Sequence, residues 1–472
     1  MPTPMLAFAV GVLGILGPWA APAHAHTSEQ AFVLLLPTEL YITGGCLAVI
    51  VSILVISLTP RQTVQCGLAS FPLPLRMPSP MVLRLTSLLA GGLFWALVAI
   101  GLFGSRDPLV NALPLVIWTG WWIALYTIAG AVGNPWGALN PWSGLYHLLF
   151  GRRGRAPLRL PDGWHCFPAL LIMGVFCAFS LADPAPNDPA RLARIVAAYW
   201  AFTFVGMALF GEKPWLRQCE AFSVLFRLIG LVAPLGYRAG MRIGLWGWQL
   251  AETRRVSPDL ALFALVILAI GSFDGLKDTF WWLSWIGVNP LEFPGRSAVQ
   301  LSSLVGMVLS IIALVIGFAF IAWSGAHLAN RGSDPEQSVS GFALFCAFAP
   351  TLLPIALVYH TSHYLVSFLV DGQYLLAALG DPLARGANLF GLGEIHITTG
   401  FLNTKGSVRL IWLSQAFVVV AGHMVSVVVA HHIALSLYPQ TRRALLAQVP
   451  LGLFVVGYTW FGLWLLAAPR AI

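Results

Sequence analysis

Long apolar runs separated by short polar stretches set the rhythm of the chain. Ten runs of about 20 residues, the length that spans a bilayer as a helix, fall near 38–58, 82–103, 112–132, 166–182, 193–210, 260–282, 299–323, 342–368, 409–435 and 448–467. They predict an all-α polytopic transmembrane helix bundle. Ahead of them, residues 1–25 read as a secretory signal peptide, with the apolar core MLAFAVGVLGILG, then Pro18 and the small-residue pattern Ala23-His24-Ala25. The charged start of such a signal is missing, so an uncleaved first helix is the other reading. Residues 26–472 then form one membrane domain, with a long inner loop at 211–258 and an outer loop at 371–407.

Composition agrees with this pattern. The 472 residues are 58% hydrophobic and only 9% charged, against about 25% charged in a soluble domain, which excludes the water-soluble classes. With the start of the mature chain outside, inner loops carry 16 Lys and Arg and outer segments 8, as the positive-inside rule asks. That orientation suits a bacterial inner (plasma) membrane with the mature N-terminus in the periplasm. The net charge of +8 then needs no nucleic-acid partner. The six cysteines are scattered without a CxxC pair, which predicts free thiols. Arg217 and Arg227 among apolar neighbours predict an interfacial amphipathic helix in the loop 211–258. Asn-Pro-Trp, written twice in NPWGALNPW, predicts turns with tryptophans at the membrane interface.

Ionisable side chains inside apolar runs are a functional signal. PIALVYHTSHYLVSFLVDGQY places His360 and His363 three apart on one helix face and ends on Asp371 and Gln373. AGHMVSVVVAHHIA holds His423, His431 and His432. At 1.5 Å per residue, His360 and His363 lie roughly 15 and 10 Å below the outer boundary and His423 roughly 20 Å. Neighbouring antiparallel helices could therefore bring these three together. GSFDGLKDTFWW adds Asp274 and Asp278 at i, i+4, with Lys277 between them. Nitrogen and carboxylate donors without thiolate suit a divalent metal, Zn, Fe, Mn or Cu alike. The expected ligands are His360, His363 and His423, with His431 and, after signal cleavage, His26 as further candidates. Asp274, Asp278 and Asp371 are the candidate acid–base groups, and Trp281, Trp282, Tyr364 and Gln373 the candidate walls of a pocket for an apolar small molecule arriving from the lipid bilayer. The plainer reading of each is local: a membrane histidine as a helix–helix hydrogen-bonding group, and Lys277 as the counter-ion of an aspartate.

The same segments resemble the bacterial polytopic membrane proteins named fenitrothion hydrolases. The resemblance rests on PIALVYHTSHYLVSFLVDGQY, GDPLARGANLFG, AGHMVSVVVAHHIAL, FDGLKDTFWW, NPWGALNPW and the early AHAHTSEQ, spread discontinuously over residues 24–434. It implies hydrolysis of an organophosphorus triester with release of a nitrophenol. It carries His360, His363, Asp371, Gln373, His423, His431 and Asp274 over as motif positions. The chain departs from the family pattern at Asp371, before Gly372-Gln373, and at the doublet His431-His432. Two other readings use the same groups: a transporter passing protons or a cation along the bundle, and a b-haem carrier with imidazoles as axial ligands.

Overall fold

The structure is a computed structural model that describes residues 33–75, 78–151, 156–253, 256–332, 335–391, 393 and 395–471. The expected signal peptide and His26 lie outside the described residues. Among these, nine helices are long and apolar enough to cross a membrane, and the chain is an all-α polytopic bundle. The long helices are α1 (Thr38–Leu58), α2 (Pro80–Phe103), α3 (Ala112–Ala131), α5 (Pro189–Phe210), α8 (Pro258–Lys277), α9 (Gln300–Asn330), α10 (Gly341–His363), α12 (Lys405–Leu437) and α13 (Thr441–Ala467). The tenth expected span is α4 (Phe167–Ala182), a shorter apolar helix. Between these lie α6 (Glu212–Gln218), α7 (Ala221–Ile229) and α11 (Leu365–Gly380).

Helix starts follow local chemistry. Ser79 and Asp188 cap α2 and α5 by accepting from Val82 N and Arg191 N, each followed by proline in the first turn. That pairing satisfies orphan donors where proline has no N–H to lose. Helices α8 and α10 are the most enclosed spans, whereas α1 and α9 turn most of their apolar residues outward. A helix apolar all round belongs in the middle of a membrane bundle. Here that middle is α8, packed against α9 and α10, with α12 closing on α10. The six cysteines are free thiols.

Two segments expected at the interface pack in part into the bundle, although Lys213 and Arg217 stay exposed. The loop 211–258 folds back into the bundle. Helix α7 is buried along nearly its whole length, and Glu220 caps it by accepting from Phe222 N (3.0 Å) and Ser223 N (2.6 Å). Tyr199 Oη also donates to Glu220, and burial raises this carboxyl above its ordinary range. The remainder of the loop forms a small sheet: β2 (Leu235–Tyr237) pairs antiparallel with β3 (Met241–Ile243), which pairs with β1 (Phe71–Pro72).

The tryptophans of the Asn-Pro-Trp repeat are also buried. Trp136 stacks on Phe226 of α7 at 4.9 Å and donates to Ser223 Oγ at 3.1 Å. Trp142 donates to Trp200 O while Trp200 donates to Pro141 O, at 3.1 and 3.2 Å. Tryptophan favours a lipid interface, but a re-entrant turn whose indole N–H groups find hydroxyl and carbonyl partners accommodates the same residue. Close packing continues at Gly144, whose N–H bonds Ser87 Oγ (2.7 Å). A Cβ there would collide with the α2 backbone at Arg84 and Leu88. Gly144→Ala should therefore destabilise the protein by about 2 kcal/mol, read as a lower Tm in detergent. Gly137→Ala, where nothing lies within 4 Å, should leave Tm nearly unchanged.

Candidate functional site: a buried Asp274–His363 pair

Asp274 sits one turn before the end of α8, inside the bundle, and three side chains converge on it. His363 Nε2 lies 3.3 Å from its Oδ2 and Lys277 Nζ 3.6 Å from its Oδ1. Tyr364 Oη donates to the same Oδ2. A carboxylate away from water needs such partners, because neither its charge nor its lone pairs are otherwise satisfied. Helices α8 and α10 meet closely here because residue 275 is glycine; a Cβ would run into Tyr359 Oη.

A break in the helix places His363 and Tyr364. Helix α10 stops at His363, Tyr364 has φ −95° and ψ 4°, and α11 restarts at Leu365. Gln415 of α12 secures the break by donating Nε2 to Ser362 O (2.8 Å), while Ser362 Oγ donates to Gln415 O (3.1 Å). A buried carbonyl released by a helix break costs stability unless a side chain takes it up.

His360, one turn earlier, faces α3. That helix is π-helical over Val116–Leu125, a geometry that recurs at functional sites. His360 Nε2 lies 2.9 Å from Trp122 O. A carbonyl only accepts, so this nitrogen carries a proton. The ring lies 4.1 Å from the Tyr126 ring and 4.8 Å from that of Tyr364.

Trp122, Tyr126, Asp274, Tyr359, His360, His363 and Tyr364 line one cavity of about 40 Å³, with Cys177 and Leu225 in its wall. Among the described residues, the buried hydroxyls of Tyr126 and Tyr359 find no protein partner. A cavity of this size, mostly apolar but with these hydroxyls, Asp274 and His363 in its wall, has room for a few water molecules, each wanting two to four such partners. His363 also borders a second cavity of about 120 Å³, lined with Ser367, Trp412, Gln415 and Arg470. Arg470 arrives there because Pro469–Ala471 runs beside the end of α8: Phe280 N bonds Pro469 O (2.9 Å) and Ala471 N bonds Asp278 O (2.9 Å). Its Nη2 lies 3.5 Å from His363 Nδ1. An arginine donates only, so Nδ1 presents its lone pair and Nε2–H faces Asp274.

Of the residues expected from sequence, the structure brings together Asp274, His360, His363 and Tyr364. Asp278 is half exposed, pairs with Lys277 and does not line the cavity. Trp281 is exposed, and Trp282 packs edge-on against Phe273 at 5.2 Å. Asp371 lies on α11 outside the cavity. Gln373 clasps the outer loop, donating to Thr398 O (3.0 Å) and accepting from Thr398 N (2.9 Å). His423 Nδ1 bonds Val419 O of its own helix (2.8 Å), and His431 Nδ1 faces Gln448 Oε1 (3.1 Å); neither lines the cavity. Sequence reasoning missed Trp122, Tyr126, Tyr359, Gln415 and Arg470. Tyr359 alone carried a signal, four residues from His363 on one helix face.

Among the described residues no three His, Cys, Asp or Glu side chains gather as a metal ion requires. The donors also face other partners: His360 Nε2 a carbonyl, His363 Nε2 a carboxylate, and His363 Nδ1 a guanidinium. In this arrangement the residues do not fit the expected metal. Comparison with family models, curated proteins and solved structures finds no match to this chain. Lys277→Met should cost about 3 kcal/mol by leaving Asp274 without its cation. Adding Asp274→Asn should recover part of that loss, as thermal melting of the single and double variants would read.

Proposed function

We propose that Asp274 and His363 are the acid–base centre of a membrane-embedded hydrolase in a bacterial inner membrane. The proposed substrates are apolar esters of the organophosphorus triester class, which the resemblance to fenitrothion hydrolases implies. The observation that carries this reading is the Asp274–His363 contact within the bundle, with Nδ1 of His363 turned to a second cavity beside Arg470. Asp274 accepts from Nε2–H and fixes the ring, so that Nδ1 is the basic nitrogen, the logic by which a carboxylate orients a catalytic imidazole. A water that takes the place of the Arg470 guanidinium at Nδ1 gives up a proton as its oxygen bonds to phosphorus. The P–O(aryl) bond breaks and a nitrophenolate leaves, a group stable enough to need no acid. Arg470 faces the charge that develops on the phosphoryl oxygen. No step passes through a metal.

In proteoliposomes, Asp274→Asn and His363→Gln should each slow nitrophenol release from fenitrothion by about 10²- to 10⁴-fold, the usual worth of a positioned base. A chelator should leave the wild-type rate unchanged. Full activity in either correctly inserted variant would overturn the assignment.

The volumes favour one other reading. The cavities of about 40 Å³ and about 120 Å³ hold water, whereas ligand pockets for drug-sized molecules run to about 300 Å³ or more. Because His363 borders both cavities, the same pair suits passage of protons between them. Under that reading, proteoliposomes show proton flux that Asp274→Asn abolishes, and no ester is cleaved.

A further inference from the structure

A second concave site lies at the opposite end of α8, where α5 ends and α8 begins. Helix α6 and the segment before α4 enclose a groove of about 560 Å³, continuous through His165 and Gln218 with an adjoining one of about 570 Å³. Lys213, Arg217 and Arg227 line the first and Arg159 the second. Against these four cations stand Asp259, which is buried and accepts from Cys166 N at 2.8 Å, and the exposed Asp162. Arg227 is held in place by donating to Arg217 O at 3.0 Å. Lys213 and Arg217 are exposed, and among the described residues neither charged group has a hydrogen bond or ion pair.

The surroundings indicate what kind of anion would bind. Trp164 and Leu158 are exposed at the rim, and Phe167, Leu171 and Val175 are exposed at i, i+4, i+8 along α4. This apolar stripe runs from the groove along the membrane-facing side of the bundle. Tryptophan prefers the headgroup level, and guanidinium groups match phosphate oxygens in geometry and charge. We propose that this groove binds the phosphate headgroup of an anionic phospholipid, with its acyl chains along Phe167, Leu171 and Val175. Basic pockets among membrane helices are a recurrent setting for such headgroups. A zwitterionic phosphatidylcholine carries its own cation towards the arginines and fits poorly.

The test uses the full chain purified in neutral detergent. Phosphatidylglycerol or phosphatidylcholine is titrated in and bound lipid is counted by native mass spectrometry, with inorganic phosphate as a third arm read by Tm. The proposal expects phosphatidylglycerol to be retained in preference to phosphatidylcholine and to raise Tm, with inorganic phosphate doing neither. Lys213→Gln with Arg217→Gln should weaken phosphatidylglycerol binding about tenfold, the loss of two charge-assisted contacts. Arg217→Lys should retain most of it. Removing the same charge at exposed Lys405 and Arg409 should change nothing. Equal binding of both lipids, undiminished binding in the double variant, or stabilisation by inorganic phosphate alone would each overturn the proposal.

Discussion

An ionised carboxylate within a membrane bundle must be compensated where it stands, and Asp274 is that group. A charge taken out of water costs several kcal/mol even after relaxation, so the structure around Asp274 is organised to offset it. Lys277 supplies the charge one turn away, while His363 and Tyr364 satisfy the lone pairs. The approach of His363 and Tyr364 depends on backbone that departs from a plain transmembrane helix. Gly275 lets α10 approach, the break at Tyr364 turns His363 and Tyr364 inward, and Gln415 takes up the carbonyl exposed by the break. A regular apolar span would have none of these features.

Much of this was legible in the sequence, for a physical reason. Hydropathy reports length along the membrane normal, so the nine long helices and the shorter α4 were visible, and so were ionisable residues such as Asp274, His360 and His363 within them. What hydropathy does not report is the direction in which a side chain points around its helix. His423 was expected beside His360 because their depths matched. Its ring is instead tied to Val419 of its own helix and does not line the cavity. Asp278 was expected beside Asp274 because i and i+4 share a helix face. Helix α8 ends at Lys277, however, and Asp278 swings outward once that periodicity stops.

The re-entrant segments were hidden for a related reason. Trp136 and Trp142 have the composition of an interfacial segment, and composition is the same whether a turn lies on the bilayer or folds into the bundle. Only the partners tell the two apart, and partners such as Ser223 and Trp200 lie 58 or more residues away. The broken helix at Tyr364 and the π-helical turns of α3 also gave no local sign, since both are fixed by contacts with other helices. Arg470 reaches His363 across 107 residues of chain, beyond any periodicity a sequence displays.

The site at one end of α8 and the basic groove at the other are chemically distinct. One is enclosed and built on a compensated carboxylate; the other is open, and among the described residues the charged groups of Lys213 and Arg217 there have no protein partner. The claim on which the functional reading rests is that Asp274 holds the His363 ring with Nε2–H towards the carboxylate and Nδ1 bare. Nitrogen-15 NMR of the histidine rings in bilayer-embedded protein tests it directly, by comparing the wild type with Asp274→Asn. The account predicts one neutral ring protonated at Nε2 whose N–H signal moves in the variant, assigned to His363 by its loss in His363→Gln. A spectrum with every histidine signal unchanged by Asp274→Asn would contradict it.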